Sequence, residues 1–242
     1  SKENNLQINF FNGFYCVAGV VINKDEFVIK DPVKPLNFSY DNEYLNLSFQ
    51  SDDLKIKNSL FTSNYVKTKI FFNDGDSLYH PQMKFKFDEE HKNVYLRKYD
   101  YTYFKHAPIL NSYHGLNIYS DFLRINFESN TAAFVHYPNK IDNKVLFESI
   151  DYFSDKRFND LNYNESDNLL SILIEFSKDF NLINNIPVVF FANKLNLNPQ
   201  SVTDILNTLE IFGFISLNNY SYTFDINKRA FDFFDSRNEK FD

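Results

Sequence analysis

Apolar and polar residues alternate one for one through much of the first ~135 residues, the period of a strand with one face inside and one in water. Phe27-Val28-Ile29, Leu45–Phe49, Leu54–Lys57, Val66–Ile70, Met83–Phe87 and Val94–Arg97 all carry this pattern. Leu123–Phe127 and Ala133–Tyr137 repeat it. Turn-forming residues separate the runs: Asp31-Pro32, Asp52-Asp53, Asn73–Asp76 and Asp88–Glu90. Short strands at this spacing predict an antiparallel β sandwich or barrel-like domain over residues 1–140.

The period changes at Val145. Val145, Leu146, Ser149, Ile150 and Phe153 follow helical spacing and predict a connecting helix, with the polar stretch Asn162–Asn168 as a short linker. Residues 141–165 therefore read as connecting helix and linker, and residues 166–242 as a second domain. There Ser166 or Asp167 can cap a helix carrying Leu169, Leu170, Leu173, Ile174 and Phe176 on one side. Pro187 can open a second helix over Val188–Leu195. Asn198-Pro199 reads as cap and first residue of a third, with Val202, Ile205, Leu206, Leu209 and Phe212 on one face and Gly213 at its end. Phe214–Leu217 and Tyr220–Phe224 read as two strands around Asn218-Asn219, a pair that tolerates the positive φ of a tight turn.

The stretch NNIPVVFFANKLNLNPQSVTDILNTLEIFGFISLNNYSYTF resembles a winged helix-turn-helix domain. The resemblance covers about residues 166–235. It implies a first helix near Asp167–Phe180, a helix-turn-helix near Val188–Phe212 and a wing over Phe214–Phe224. The fold class expected is thus α+β, a β sandwich or barrel-like domain followed by a winged-helix domain. The superfamily fixes no function: its members bind DNA, dock on proteins or pack larger assemblies.

Charge sharpens the choice among these. The chain has 242 residues and a net charge of -7, unevenly placed. Residues 1–150 hold 17 Lys+Arg against 18 Asp+Glu, and residues 151–242 hold 8 against 14. Within the first region, Lys55–Lys105 is locally basic, with ten Lys+Arg and six Asp+Glu. The third predicted helix would turn Gln200, Ser201, Thr203, Asp204, Asn207, Thr208 and Glu210 outward. Gln200 and Asn207 suit adenine, and Ser201 or Thr203 suits phosphate. None is basic, and Asp204 and Glu210 would repel a polyanion. The β region offers Lys55/Lys57, Lys67/Lys69 and Lys84/Lys86, pairs at i, i+2 that share one strand face. Arg97, with Tyr95, Tyr99, Tyr101 and Tyr103, would extend that face with rings on which bases of a single strand can stack. Exposed lysines also serve simply to keep a sheet soluble and its edges unpaired.

Chemistry has little support. His106 and His114 flank a loop and, with Asp121 or Glu128, would be the one candidate metal or acid–base cluster, at a spacing that matches no metal motif. Cys16 lies in the apolar run Tyr15–Ala18, where a thiol is packed rather than reactive. Five glycines do not supply a phosphate-binding loop. A single cysteine closes no internal disulfide and predicts a reducing, cytoplasmic setting. No apolar run reaches the ~18 residues of a spanning helix. The sequence thus predicts a non-enzymatic accessory or regulatory protein of a nucleic-acid-associated complex, without cofactor, metal or membrane. The winged helix would mainly dock a protein partner, and the basic sheet face would be the nucleic-acid contact. A DNA-reading transcription regulator and a structural or assembly protein without nucleic acid are the alternatives.

Overall fold

The structure, a computed structural model, describes residues 6–10, 13–23, 26–31, 34–41, 46–71, 76–99, 103–137, 144–150, 155–162 and 168–237. The chain divides into two compact units, Ser1–Glu148 and Ser149–Asp242. Each has its own apolar core.

The first unit is built on one 14-stranded antiparallel sheet. Its strands are β1 (Leu6–Phe10), β2 (Phe14–Asn23), β3 (Glu26–Lys30), β4 (Leu36–Asp41), β5 (Asn46–Ser51), β6 (Leu54–Lys57), β7 (Leu60–Phe71), β8 (Ser77–Asp88), β9 (Asn93–Arg97), β10 (Ile109–Asn111), β11 (Leu116–Tyr119), β12 (Phe122–Asn126), β13 (Thr131–Val135) and β14 (Leu146–Ser149). The long strands each face two short ones. β2 pairs with β4 through Phe14–Cys16 and with β3 through Gly19–Asn23. β7 pairs with β6 through Leu60–Thr62 and with β5 through Val66–Phe71. β3 and β4 are therefore two halves of one rail, interrupted after Lys30, and β5 and β6 are two halves of the next, interrupted at Asp52-Asp53. β7 answers with register shifts between Ser63 and Thr68. Buried Ser51 supports that irregularity, its Oγ 2.8 Å from the Tyr65 carbonyl.

Alternation puts Phe38, Phe49, Phe61, Phe85, Phe87, Val94, Leu96, Leu123 and Ile125 inside. Phe38, Phe49 and Phe85 pack ring on ring, with centroids 4.8–5.1 Å apart. Burying a phenylalanine is worth ~1.5–3 kcal/mol, so this cluster anchors the sheet and fixes which face looks out.

The second unit contains α1 (Asp155–Asn159), α2 (Leu169–Phe180), β15 (Ile186–Pro187), α3 (Val188–Lys194), α4 (Pro199–Ile211), β16 (Ile215–Asn218), β17 (Thr223–Ile226) and α5 (Lys228–Ser236). Asn168 caps α2 by accepting from the Leu170 and Ser171 amides, the role expected of Ser166 or Asp167, which lie outside the described residues. Asn198 caps α4 with Pro199 at its first turn. Gly213 follows at φ 73°. The strands form a small sheet in the order β15-β17-β16.

Three expectations are corrected here. Residues Leu146–Ser149 form a strand paired with β11, not a connecting helix; their helical spacing is too short to outweigh a free strand edge. Phe153 lies outside the described residues, as do Asn73–Gly75 of one expected turn. The first unit is not a sandwich of separate sheets, since its strands form one continuous hydrogen-bonded network; alternation reports which residues face inward, not how a sheet is divided. The winged-helix assignment is also withdrawn. Helix caps, a terminal glycine and a hairpin are local signals that specify neighbouring elements, not a superfamily. Here the third strand is two residues long and a further helix, α5, packs on α2.

Candidate functional site

The outward face of the large sheet follows from the register. With Leu54, Phe61, Phe85, Phe87, Val94, Leu96, Leu123 and Ile125 inside, the residues between them face out. Lys55 lies opposite Thr62, Thr62 opposite Lys86, Lys86 opposite Tyr95 and Tyr95 opposite Arg124. Five strands thus contribute one register-matched row, Lys55–Thr62–Lys86–Tyr95–Arg124. Lys86 and Arg124 are exposed and the other three half-buried. The next row along the strands pairs Lys84 with Arg97 and Arg97 with Phe122.

Aromatic rings are interleaved with these cations. Lys86 Nζ lies 5.6 Å from the Tyr95 ring centre, Lys84 Nζ 5.9 Å from Tyr99, Lys67 Nζ 5.8 Å from Tyr79 and Lys69 Nζ 4.8 Å from Phe71. The Arg97 guanidinium sits 4.8 Å over Tyr137, and Tyr65 and Tyr99 stack at 4.9 Å. Such contacts hold a cation in place at a cost far below that of burying it. Asp88, in the row that holds Lys57, is engaged by the amide and Nδ1 of His91 at 3.2 and 3.1 Å.

The sheet therefore brings together Lys55, Lys57, Lys67, Lys69, Lys84, Lys86 and Arg97 on one side. Sequence reading missed Arg124 and Tyr79 as members of this face. Arg124 stands alone between Leu123 and Ile125 rather than in an i, i+2 pair, although its alternation carries the same signal. Tyr101 and the side chain of Tyr103 lie outside the described residues.

The residues proposed on α4 form no comparable surface. Gln200 and Ser201 are exposed in its first turn, and Thr203 and Asn207 are half-buried. The Ser201 amide is spent on the Asn198 cap at 2.8 Å and the Thr203 hydroxyl lies 3.4 Å from the Pro199 carbonyl. Glu210, expected outside, is only 4% exposed. Its Oε1 accepts the Leu217 amide at 3.1 Å, tying α4 to β16.

The histidines do not assemble. His106 is exposed at the end of a short 3-10 turn, and His114 is held against Asn111 at 3.0 Å. Asp121 instead receives His136 Nδ1 and the Tyr137 amide, both at 2.9 Å. Among the described residues no group of three or more His, Cys, Asp or Glu is placed to hold a metal ion. Cys16 is buried, and desolvation pushes its thiol up to about 11. His80 is pushed down to about 3, first by burial and then by the charge of Lys98. No helix among the described residues is long and apolar enough to cross a membrane.

No protein-family model matches the chain, and no curated protein matches it. Among solved structures, the chain is similar to LptH of Pseudomonas aeruginosa, described as the LptA-homologous periplasmic component of the lipopolysaccharide transport device. The likeness has a TM-score of 0.36 at 9% identity and covers 56% of this chain and 93% of that one. That description concerns a periplasmic transport component. At this TM-score it assigns neither transport nor lipopolysaccharide to the present chain. The expectations of a winged-helix superfamily, of a nucleic-acid-associated regulator, DNA-reading or otherwise, and of a cytoplasmic setting are withdrawn, since no family model and no curated relative supports them.

Proposed function

We propose that the chain is a non-catalytic binding protein whose outward sheet face docks an acidic segment of a protein partner. The row Lys55–Thr62–Lys86–Tyr95–Arg124 carries this reading. It repeats a cation on alternate strands and is backed by Lys84 and Arg97 in the next row. A merely soluble face has no need of register-matched cations resting on rings, and mixed signs would serve it as well. Carboxylates approaching this surface meet guanidinium and ammonium donors that are already positioned.

The test is titration with poly-L-glutamate at low ionic strength, with poly-L-lysine as control. The wild type binds the first, and added salt weakens binding as exposed charges are screened. Reversing Lys84, Lys86 and Arg124 to Glu removes three attractive contacts and adds repulsion. The expected loss is at least about tenfold, or ~1.4 kcal/mol. Absence of poly-L-glutamate binding by the wild type, or equal binding by the triple variant with its fold intact, overturns the reading.

A further inference from the structure

The spacing of the row goes further and says what shape the docked segment has. Resting on the acidic-partner reading above, we infer that the segment is a polyproline-II helix with a carboxylate at every third residue, lying across the strands. Neighbouring strands are about 4.8 Å apart, so cations on alternate strands repeat at about 9.6 Å. Lys55 to Lys86 is one such step and Lys86 to Arg124 the next. A polyproline-II helix has three residues per turn and rises ~3.1 Å per residue, which brings the same side round every ~9.3 Å. Residues i, i+3 and i+6 of the ligand then meet Lys55, Lys86 and Arg124 in turn. An extended strand presents the same side every ~6.6 Å and falls out of step after one contact. An α-helix returns to one side about every 3.6 residues, ~5.4 Å, so only every second turn, ~10.8 Å on, comes near a cation, and its ~10 Å girth holds the backbone away from the sheet.

The two residues between the cations suit the same ligand. Polyproline-II backbone makes no internal hydrogen bonds, so its carbonyls are free to accept from a hydroxyl such as that of Thr62. Tyr95, half-buried with Lys86 over one side of its ring, offers the rest of its ring to a proline at the intervening position. Asp88 takes two hydrogen bonds from His91 and also feels the charge of Lys86, so a docked carboxylate shares Lys86 with it while Lys55 and Arg124 serve the ligand.

Three fluorescently labelled nonapeptides of one composition, three Glu and six Pro, separate the possibilities. One repeats Glu-Pro-Pro, one has its three Glu together at the N-terminus, and one places them at alternate positions. Fluorescence polarisation with the full chain is expected to show the Glu-Pro-Pro repeat binding at least tenfold tighter than either isomer. Arg124→Gln and Tyr95→Ala should erase that preference, whereas Lys228→Gln, on α5 of the second unit, should keep it. Circular dichroism of each variant checks the fold. Equal affinity for the three peptides overturns the spacing inference and leaves acidic docking intact. Failure of all three, together with failure of poly-L-glutamate, overturns acidic docking itself. Tighter binding by a helical peptide with Glu at every seventh residue also overturns the inference.

Discussion

His80 sits on the inner face of β8 opposite Thr68. Its Nδ1 accepts the Gln82 amide at 3.1 Å, which leaves the proton of the neutral ring on Nε2. Nε2 makes no hydrogen bond of good geometry among the described residues, although the Ala107 backbone also engages the ring. Charging this ring would bury a cation near Lys98, so its pKa falls from 6.5 to about 3. The unfolded chain takes up a proton near pH 6.5 and the folded chain does not. Stability is therefore independent of this group above pH 6.5 and declines as pH falls from there toward 3. Between pH 7 and 5 the loss from His80 alone should be about 2 kcal/mol. Urea unfolding at the two pH values should show a steeper fall for the wild type than for His80→Gln. Parallel falls would mean the ring is accessible to solvent when folded. Glu210 shows the opposite lesson: a carboxylate goes inside where a hairpin amide is waiting for it.

At the scale of elements, α4 tests how well a sequence reports its own faces. Val202, Ile205, Leu206 and Leu209 are buried, as their spacing predicted. Leu206→Asp would bury a carboxylate without a partner, at a cost of several kcal/mol against a total stability of ~5–15 kcal/mol. Thr203→Asp, half-buried near the helix start where negative charge is favoured, should change stability little. Thermal denaturation distinguishes them; equal shifts would mean a different helix register. Strands read from strict alternation, such as Met83–Phe87 within β8 and Val94–Arg97 within β9, were legible for the same reason. β1, β2, β4, β10, β11 and β14 were not; β2 is long, but Cys16–Ile22 holds no charged or hydroxyl residue to mark an alternation. The others are short and depend on a neighbour's free edge rather than on their own pattern. The lysine side of the sheet could be read from i, i+2 pairs. The alignment of Lys55, Lys86 and Arg124 could not, because only strand pairing brings residues so distant in sequence into one line.

For the whole molecule, the two cores share no residue, and the division falls at Glu148/Ser149. Each core is large enough for a domain of its size. Residues 1–148 and 149–242, expressed separately, should each unfold cooperatively, as followed by circular dichroism. A fragment without a cooperative transition would show that its core depends on the other.

The broken rails leave one more mark. The gap between β3 and β4 lies beside the shorter gap between β5 and β6, since Ile29 faces Leu54 and Leu36 faces Ser51. One rail spends five residues, Asp31–Pro35, where its neighbour spends two, Asp52-Asp53, yet pairing resumes on both sides. Chain length at this crease is thus uncoupled from the pairing around it. The crease is a natural splice point, where a foreign loop or reporter could be grafted without disturbing the pattern of either flank.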